Sequence, residues 1–115
     1  MDLSIDTREE AGWTVVRVTG EVDLYTAPQL RERVAWAIED GASRIVVDLA
    51  DVSFMDSSGL GVLIGALRRL RERGGELAVV CGEGPVRRLL AITGLDRLFP
   101  VHGSVEAATS PRDPG

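Results

Sequence analysis

The chain has 115 residues, of which 44% are hydrophobic and 27% charged, and its formal net charge is -5. This length and balance predict one globular domain and exclude a disordered chain. All thirteen basic residues are arginines, which excludes chemistry that needs a lysine, and an acidic chain without a basic run is not expected to bind nucleic acid.

Cysteine and histidine are too rare to support a metal site or a disulfide. Cys81 is the one cysteine and lies in the apolar stretch ELAVVC, so we expect a buried, unreactive thiol. One cysteine and one histidine do not make a zinc site. The N-terminus lacks a signal-peptide pattern and no apolar run reaches membrane-spanning length, so we expect a cytoplasmic protein with no membrane partner.

The predicted elements alternate between strands and helices. LSIDTRE and WTVVRVTG predict two strands joined by an EEAG turn, and RIVVDLA (44–50) predicts a central strand. Between them, Thr26 and Gln29 form a T-x-x-Q pattern, which predicts a capping box for a helix over residues 27–40. A second helix follows two serines and ends at RERGG, and ELAVV predicts a third interior strand.

The remaining residues complete a small α/β domain. GPVRRLLAITG predicts a third helix with a proline at its start and a glycine past its end, and LDRLFPV predicts a short final strand. The alternation predicts an α/β fold with a mixed sheet of four to five strands, packed by three to four helices. We place the domain at residues 1–102 and expect residues 103–115 to form a mobile C-terminal tail.

The segment FMDSSGLGVLIG, residues 54–65, places two serines between an acid and a glycine before a helix. A hydrolase nucleophile elbow needs a glycine two residues before its serine, and Met55 or Asp56 stands there. The three glycines are spaced somewhat like a dinucleotide loop, but they come several residues after the predicted strand. A phosphoaspartyl receiver would need a lysine. We therefore expect no catalytic residue and no cofactor.

Two interpretations of the serines remain open, a helix cap and a phosphate acceptor. Either Ser57 or Ser58 could cap the helix. On a helical wheel the leucines cluster on one side, and Val62 and Gly65 lie on the other, with Gly61 at its margin. Each helical glycine costs roughly 1 kcal/mol relative to alanine, which favours a face that a partner approaches closely.

The run from VVDLADVSFMDSSGLG to ITGLDRLF, together with GEVDLYTAPQL upstream, closely resembles the anti-sigma factor antagonists, bacterial anti-anti-sigma proteins with a STAS domain. The resemblance covers about residues 3–102 and implies a STAS-type fold and partner switching in transcription regulation. In such proteins the unphosphorylated antagonist binds an anti-sigma factor that is also an ATP-dependent serine kinase, which releases the sigma factor. The kinase phosphorylates the antagonist, the complex dissociates, and a serine phosphatase resets the cycle.

The resemblance also implies roles for particular residues. The first serine of the D-S-S-G motif, Ser57, is the expected phosphorylation site on a chain that is not an enzyme and acts as a monomer. The expected partner-binding residues lie in the D-S-S-G motif, in the upstream G-E-x-D motif and on the side of the helix that carries the glycines. They are Glu21, Asp23, Asp56, Ser58, Gly59, Gly61, Val62 and Gly65. A phosphate of about -1.5 to -2 charges would be repelled by the neighbouring carboxylates.

Alternatives stay open at three points. The chain could be a STAS scaffold or adaptor in a stress-signalling or lipid-transport complex, in which Ser57 is only a cap. Asp23 could instead hold its own loop through an Asx turn. Tyr25 and Trp36 are either exposed aromatics that help docking or covers for the edge of the core.

Overall fold

The computed structural model describes residues 3–111 as a five-stranded mixed sheet with helices on both faces. The strands lie in the order in which they occur along the chain, and only the first pair is antiparallel. The strands are β1 (Ser4–Glu10), β2 (Trp13–Val22), β3 (Arg44–Met55), β4 (Glu76–Val80) and β5 (Val101–His102). The helices are α1 (Ala27–Glu39), α2 (Ser57–Glu72), α3 (Pro85–Thr93) and α4 (Val105–Thr109), with a 3-10 turn at Leu95–Arg97.

The strand pairs follow from the connections between them. β1 and β2 form the hairpin expected from LSIDTRE and WTVVRVTG, with Ser4 opposite Thr19 and Glu10 opposite Trp13. Each later strand is reached through a helix, which makes those pairs parallel. The central strand is longer than predicted, because β3 continues through Met55 along β2 beyond the end of β4.

The main core lies between one face of the sheet and helices α1, α2 and α3. Its fully buried side chains alternate along the strands and recur at helical spacing on the helices. They include Val16, Val18, Ile45, Val47, Leu77 and Val79 from the strands, and Leu30, Leu63, Leu70 and Leu90 from the helices. Cys81 also lies in this core, and burial raises the pKa of its thiol, as expected for an unreactive cysteine.

Helix α4 covers the opposite face of the sheet. Ser104 caps it by accepting a hydrogen bond from the Ala107 N–H at 3.1 Å, and Ala108 packs with Val46 and Val80. The expected mobile tail from about residue 103 is therefore wrong for this segment, because the apolar second face of the sheet offers a docking place for one helical turn. The last four residues of the expected tail lie outside the described residues.

Within residues 3–111, every helix is too short or too polar to cross a membrane.

The β1–β2 turn contains a residue that is poorly suited to its backbone. Ala11 has a φ of 52° and Gly12 a φ of 85°, the two positive values that a type I′ hairpin turn requires. An L-residue with a Cβ pays roughly 1–2 kcal/mol in this region, and asparagine tolerates it better. The turn is therefore a place where the sequence is not optimal for the fold.

We predict that Ala11→Asn raises the free energy of unfolding by about 0.5–1 kcal/mol, because it creates the Asn-Gly pair that this turn favours. Gly12→Ala should lower it by about 1 kcal/mol or more, since its φ is +85° and its new Cβ would lie 3.1 Å from the Arg44 side chain. Urea denaturation of both variants measures the two changes. A destabilised Ala11→Asn variant would contradict this account of the turn.

Candidate functional site

The conspicuous serines lie at one edge of the sheet, where β2 and β3 end side by side. Glu21 pairs with Phe54 and Val22 with Met55 in the parallel register. The chain then enters α1 through residues 23–26 and α2 through Asp56. The Asp56 N–H donates to the Val22 carbonyl at 3.1 Å, so the loop before α1 and the start of α2 form one backbone unit.

Asp56 is the residue that caps α2. Its Oδ1 atom accepts a hydrogen bond from the Ser58 N–H at 2.8 Å, and its carbonyl accepts from the Gly59 and Leu60 N–H groups. The interpretation of Ser57 or Ser58 as the cap is excluded, because an aspartate in the extended backbone conformation stands one residue earlier. The cap needs neither serine hydroxyl.

Ser57 occupies the first turn of α2 with an exposed side chain. Among residues 3–111 its hydroxyl has no hydrogen-bond partner, whereas the neighbouring Ser58 is partly buried. An exposed hydroxyl without a structural bond can be modified with little effect on the fold. The positive end of the α2 dipole also favours an added anion near it.

The loop before α1 is held by two side chains, Asp23 and Thr26. Asp23 Oδ1 accepts from the Tyr25 N–H at 2.9 Å and from the Thr26 N–H at 3.0 Å, which is the Asx turn left open above. The Thr26 N–H is the main reason that the pKa of Asp23 is lowered from its ordinary value. Asp23 is therefore ionised at neutral pH and bound to its own loop.

Thr26 does not form the predicted capping box. Its hydroxyl donates to the Glu21 carbonyl at 2.8 Å and accepts from the Asp23 N–H at 2.9 Å. Gln29 instead reaches the Leu3 carbonyl at 3.2 Å. The prediction is wrong because Asp23 already satisfies the free N–H groups ahead of α1, and this leaves Thr26 to close the loop. A D-x-x-T spacing before a helix was the available sequence signal.

The exposed face of α2 runs through Ser57, Gly61, Gly65 and Arg68, at spacings of four, four and three residues. A Cβ at Gly61 or Gly65 would meet nothing within 4 Å, so both glycines leave the helix backbone open to a partner. The helical wheel predicted an exposed side of α2 that is centred about one residue away from this face. Gly61, expected at its margin, lies at its centre.

Two residues expected to bind a partner are buried instead. Val62 is only 3% exposed and belongs to the main core, because α1 packs beside α2 and widens the buried side of the helix. Gly59 is buried because its Cα lies against β2 and β3: a Cβ there would be 2.6 Å from Met55 Cγ and 2.9 Å from Val22 Cγ1. The predicted exposure of Val62 is thus wrong, and Gly59, expected to bind a partner, packs in the core.

The three glycines follow β3 more closely than the sequence indicated. The strand was expected to end well before the glycines, but β3 continues to Met55 and α2 begins at Ser57. Two features of the structure argue against a dinucleotide site. Gly59 faces the core rather than a ligand, and the Asp56 carboxylate occupies the helix N-terminus where a pyrophosphate would bind.

The sequence matches the model of the STAS domain family over residues 4–108. The chain belongs to the STAS domain family. This STAS domain is 38% identical over 103 residues to the anti-sigma F factor antagonist of Paenibacillus polymyxa, in an alignment that covers 89% of this chain and 88% of the relative. The resemblance inferred from the D-S-S-G and G-E-x-D motifs is confirmed.

Solved structures agree with the fold. The STAS domain superposes on an anti-sigma factor antagonist from Mycobacterium paratuberculosis with a TM-score of 0.87 and 32% identity, covering 93% and 91% of the two chains. It superposes on the phosphorylated form of the Bacillus cell fate determinant SpoIIAA with a TM-score of 0.71 and 27% identity, covering 91% and 96%. The predicted α/β architecture is confirmed as the STAS fold.

The capping assignment predicts unequal effects of two neighbouring substitutions. Asp56→Ala removes the acceptor of the Ser58 N–H and should lower the free energy of unfolding by about 1 kcal/mol, within a range of roughly 0.5–2. Ser57→Ala removes an exposed hydroxyl and should change it by less than about 0.5 kcal/mol. Chemical denaturation of the two variants compares them. Equal losses would identify Ser57 as a second cap.

Gly59 and Gly61 of α2 should respond to alanine substitution with opposite changes in stability. Gly59→Ala places a methyl group against Met55 and Val22, so we expect a loss of about 1–3 kcal/mol of stability. Gly61→Ala adds a methyl group in open space on a helix, so we expect a gain of about 0.5–1 kcal/mol. Thermal and urea unfolding of both variants give the comparison, and a stable Gly59→Ala protein would contradict the packing described here.

Proposed function

We propose that the chain is a non-enzymatic antagonist of an anti-sigma factor with serine kinase activity. In its unphosphorylated form it binds that kinase through the edge of the sheet around Ser57 and the exposed face of α2, and a sigma factor is released. The kinase transfers the γ-phosphoryl group of its ATP to the Ser57 hydroxyl, whose proton is lost, and ADP is formed. A serine phosphatase hydrolyses the phosphoserine and restores the binding form.

The observation that carries the proposal is the free Ser57 hydroxyl on a helix that is already capped. Because Asp56 caps the first turn, the Ser57 hydroxyl makes no hydrogen bond among the described residues and is accessible to a kinase. The relatives support the same interpretation: one bears the name of an anti-sigma F factor antagonist, and a structural neighbour was solved in a phosphorylated form.

The expected consequence of phosphorylation is local. A phosphate on Ser57 adds about -1.5 to -2 charges beside the Asp56 carboxylate, and Asp23 lies on the neighbouring loop. Like charges at a docking surface repel a complementary partner, and burying the dianion in the interface adds a desolvation cost. The α2 dipole favours an anion at this end of the helix and the Asp56 cap does not involve the Ser57 hydroxyl, so the STAS domain should stay folded while the complex dissociates.

The face of α2 supplies room for the partner. Gly61 and Gly65 lie one and two turns from Ser57 and leave the backbone uncovered. A side chain at either position would hold a partner several ångströms away from the serine. Gly61→Ala is therefore expected to weaken kinase binding even though it stabilises the free domain.

The proposal is tested by capture from the native cells followed by titration. The tagged full chain carrying Ser57→Ala should retain a serine kinase in an ATP-dependent complex, because the complex can form and cannot be dissociated by phosphorylation. Ser57→Asp should lower the affinity of the purified kinase by at least about tenfold, and phosphate should map to Ser57 in the unmodified protein.

Ser43→Asp is the matched control. It adds the same charge at an exposed serine ahead of β3, and the twelve residues of that strand separate it from Ser57 by roughly 35 Å. It should bind like the unmodified chain. Capture of a partner that is not a kinase, with binding unchanged by Ser57→Asp, would overturn the antagonist proposal and favour the scaffold interpretation, in which Ser57 has no regulatory role.

A further inference from the structure

Exposed apolar side chains are concentrated beside Ser57. Six large hydrophobic residues of the described range, 3–111, are substantially exposed, and three of them lie at this edge of the sheet. Leu24 is 67% exposed and Tyr25 88%, both in the loop before α1, and Phe54 is 47% exposed opposite Glu21 in the register. The exposed apolar pair Leu24 and Tyr25, adjacent in one loop of a small domain, is a mark of an interaction surface.

The loop that carries Leu24 and Tyr25 is held rigidly. The Tyr25 and Thr26 N–H groups donate to Asp23 Oδ1, and the Asp23 N–H donates to Thr26 Oγ1. Thr26 is largely buried and its hydroxyl also binds the Glu21 carbonyl. The backbone is thus fixed by side chains of its own loop, while the two largest side chains point away from the core.

We propose that Leu24 and Tyr25 form an apolar anchor that enters an apolar pocket on the anti-sigma factor kinase that phosphorylates Ser57, an inference that rests on the function proposed above. Tyrosine is enriched among the few residues that dominate binding energies. An anchor held in place before binding loses little conformational freedom when the complex forms. Asp23 and Thr26 are then positioning residues for the anchor.

The position of the loop next to Ser57 indicates that the anchor binds the kinase itself and not a second partner. The Asp56 N–H donates to the Val22 carbonyl. Val22 lies two residues before Leu24, and Asp56 directly precedes Ser57, so the anchor lies beside the serine. A specific interface covers about 800 Å² on each partner, far more than one serine and two glycines present. A kinase that encloses Ser57 therefore also covers this loop.

The test uses the ATP-loaded serine kinase that the Ser57→Ala chain captures, purified and titrated against full-length variants. Leu24→Ala and Tyr25→Ala should each weaken binding about tenfold or more. As substrates of the kinase, the same variants should show a raised KM with an unchanged kcat, because the anchor does not contact the reacting atoms. Urea unfolding should leave their stability within about 0.5 kcal/mol of the unmodified chain, which is a 2.3-fold change in the folding equilibrium.

Trp36→Ala is the matched control. Trp36 is 63% exposed, but it borders a groove with Gly12 and Arg44, at the edge of the sheet opposite to Ser57. It should bind like the unmodified chain. Unchanged binding of Leu24→Ala and Tyr25→Ala, together with loss of binding in Ser57→Asp, would overturn the anchor and leave the proposed function intact. No binding of the unmodified chain to any kinase would overturn both.

The positioning role of Thr26 has its own readout. Thr26→Val should weaken kinase binding several-fold in the presence of Tyr25, and add little when Tyr25 is already alanine, because the two changes act on one anchor. Thr26→Ser, which keeps the hydroxyl, should restore binding. Thr109→Val removes another largely buried threonine hydroxyl, on α4 at the opposite face of the sheet, and should leave binding unchanged. Additive losses from Thr26→Val and Tyr25→Ala would contradict the positioning role.

Discussion

The junction at Asp56 is the constraint on which the site depends. Its carboxylate caps α2 through the Ser58 N–H, and its own N–H binds the Val22 carbonyl at the end of β2. These two bonds fix where the helix begins and tie it to the neighbouring loop. They also leave Ser57 exposed, since Asp56 caps the helix one residue earlier. A residue that can be modified is thus placed on a rigid support that does not need it.

The physical chemistry of the proposed switch follows from that separation. If Ser57 were the cap, phosphorylation would remove a helix-stabilising bond, and the fold and the docking surface would change together. With Asp56 as the cap, an added dianion meets open solvent, an adjacent carboxylate and the positive end of the α2 dipole. The energetic effect therefore falls on the complex, where the charge must be desolvated, and not on the free domain. The glycine face of α2 and the rigid loop at Leu24 and Tyr25 are the proposed contact area of that complex.

Much of the fold could be predicted because local signals agreed with one another. The alternation of apolar runs with amphipathic helices gave the order of elements, and Pro85 and Gly94 marked the ends of α3, where Gly94 adopts the left-handed conformation. The extra length of β3 could not be predicted, since ADVSFM lacks a regular apolar pattern and is held by pairing with β2. The sequence assigns the residues of α4 to a mobile tail, because one turn of helix is stable only through its contacts with the sheet.

The functional site, like the fold, could be predicted from the sequence only in part. The motifs brought Ser57, Asp56, Glu21 and Asp23 to attention, and the structure gathers them at one edge. Sequence could not distinguish Asp56 from the serines as the cap, because aspartate and serine both cap helices well. It also placed Val62 on the open face, because a helical wheel considers the sheet as the only neighbour and α1 packs alongside. The exposure of Leu24 and the hydrogen bonds of the Thr26 hydroxyl depend on loop geometry, which no periodic pattern encodes.

In the proposed switch, phosphate on Ser57 changes docking without loosening the fold. The most direct measurement is amide hydrogen exchange and urea unfolding of the purified domain with and without phosphate on Ser57. The account predicts that the free energy of unfolding changes by no more than about 1 kcal/mol and that exchange in α2 and the sheet stays protected. A loss of several kcal/mol, or rapid exchange along α2 in the phosphorylated protein, would show that the switch acts through the fold and would contradict the account.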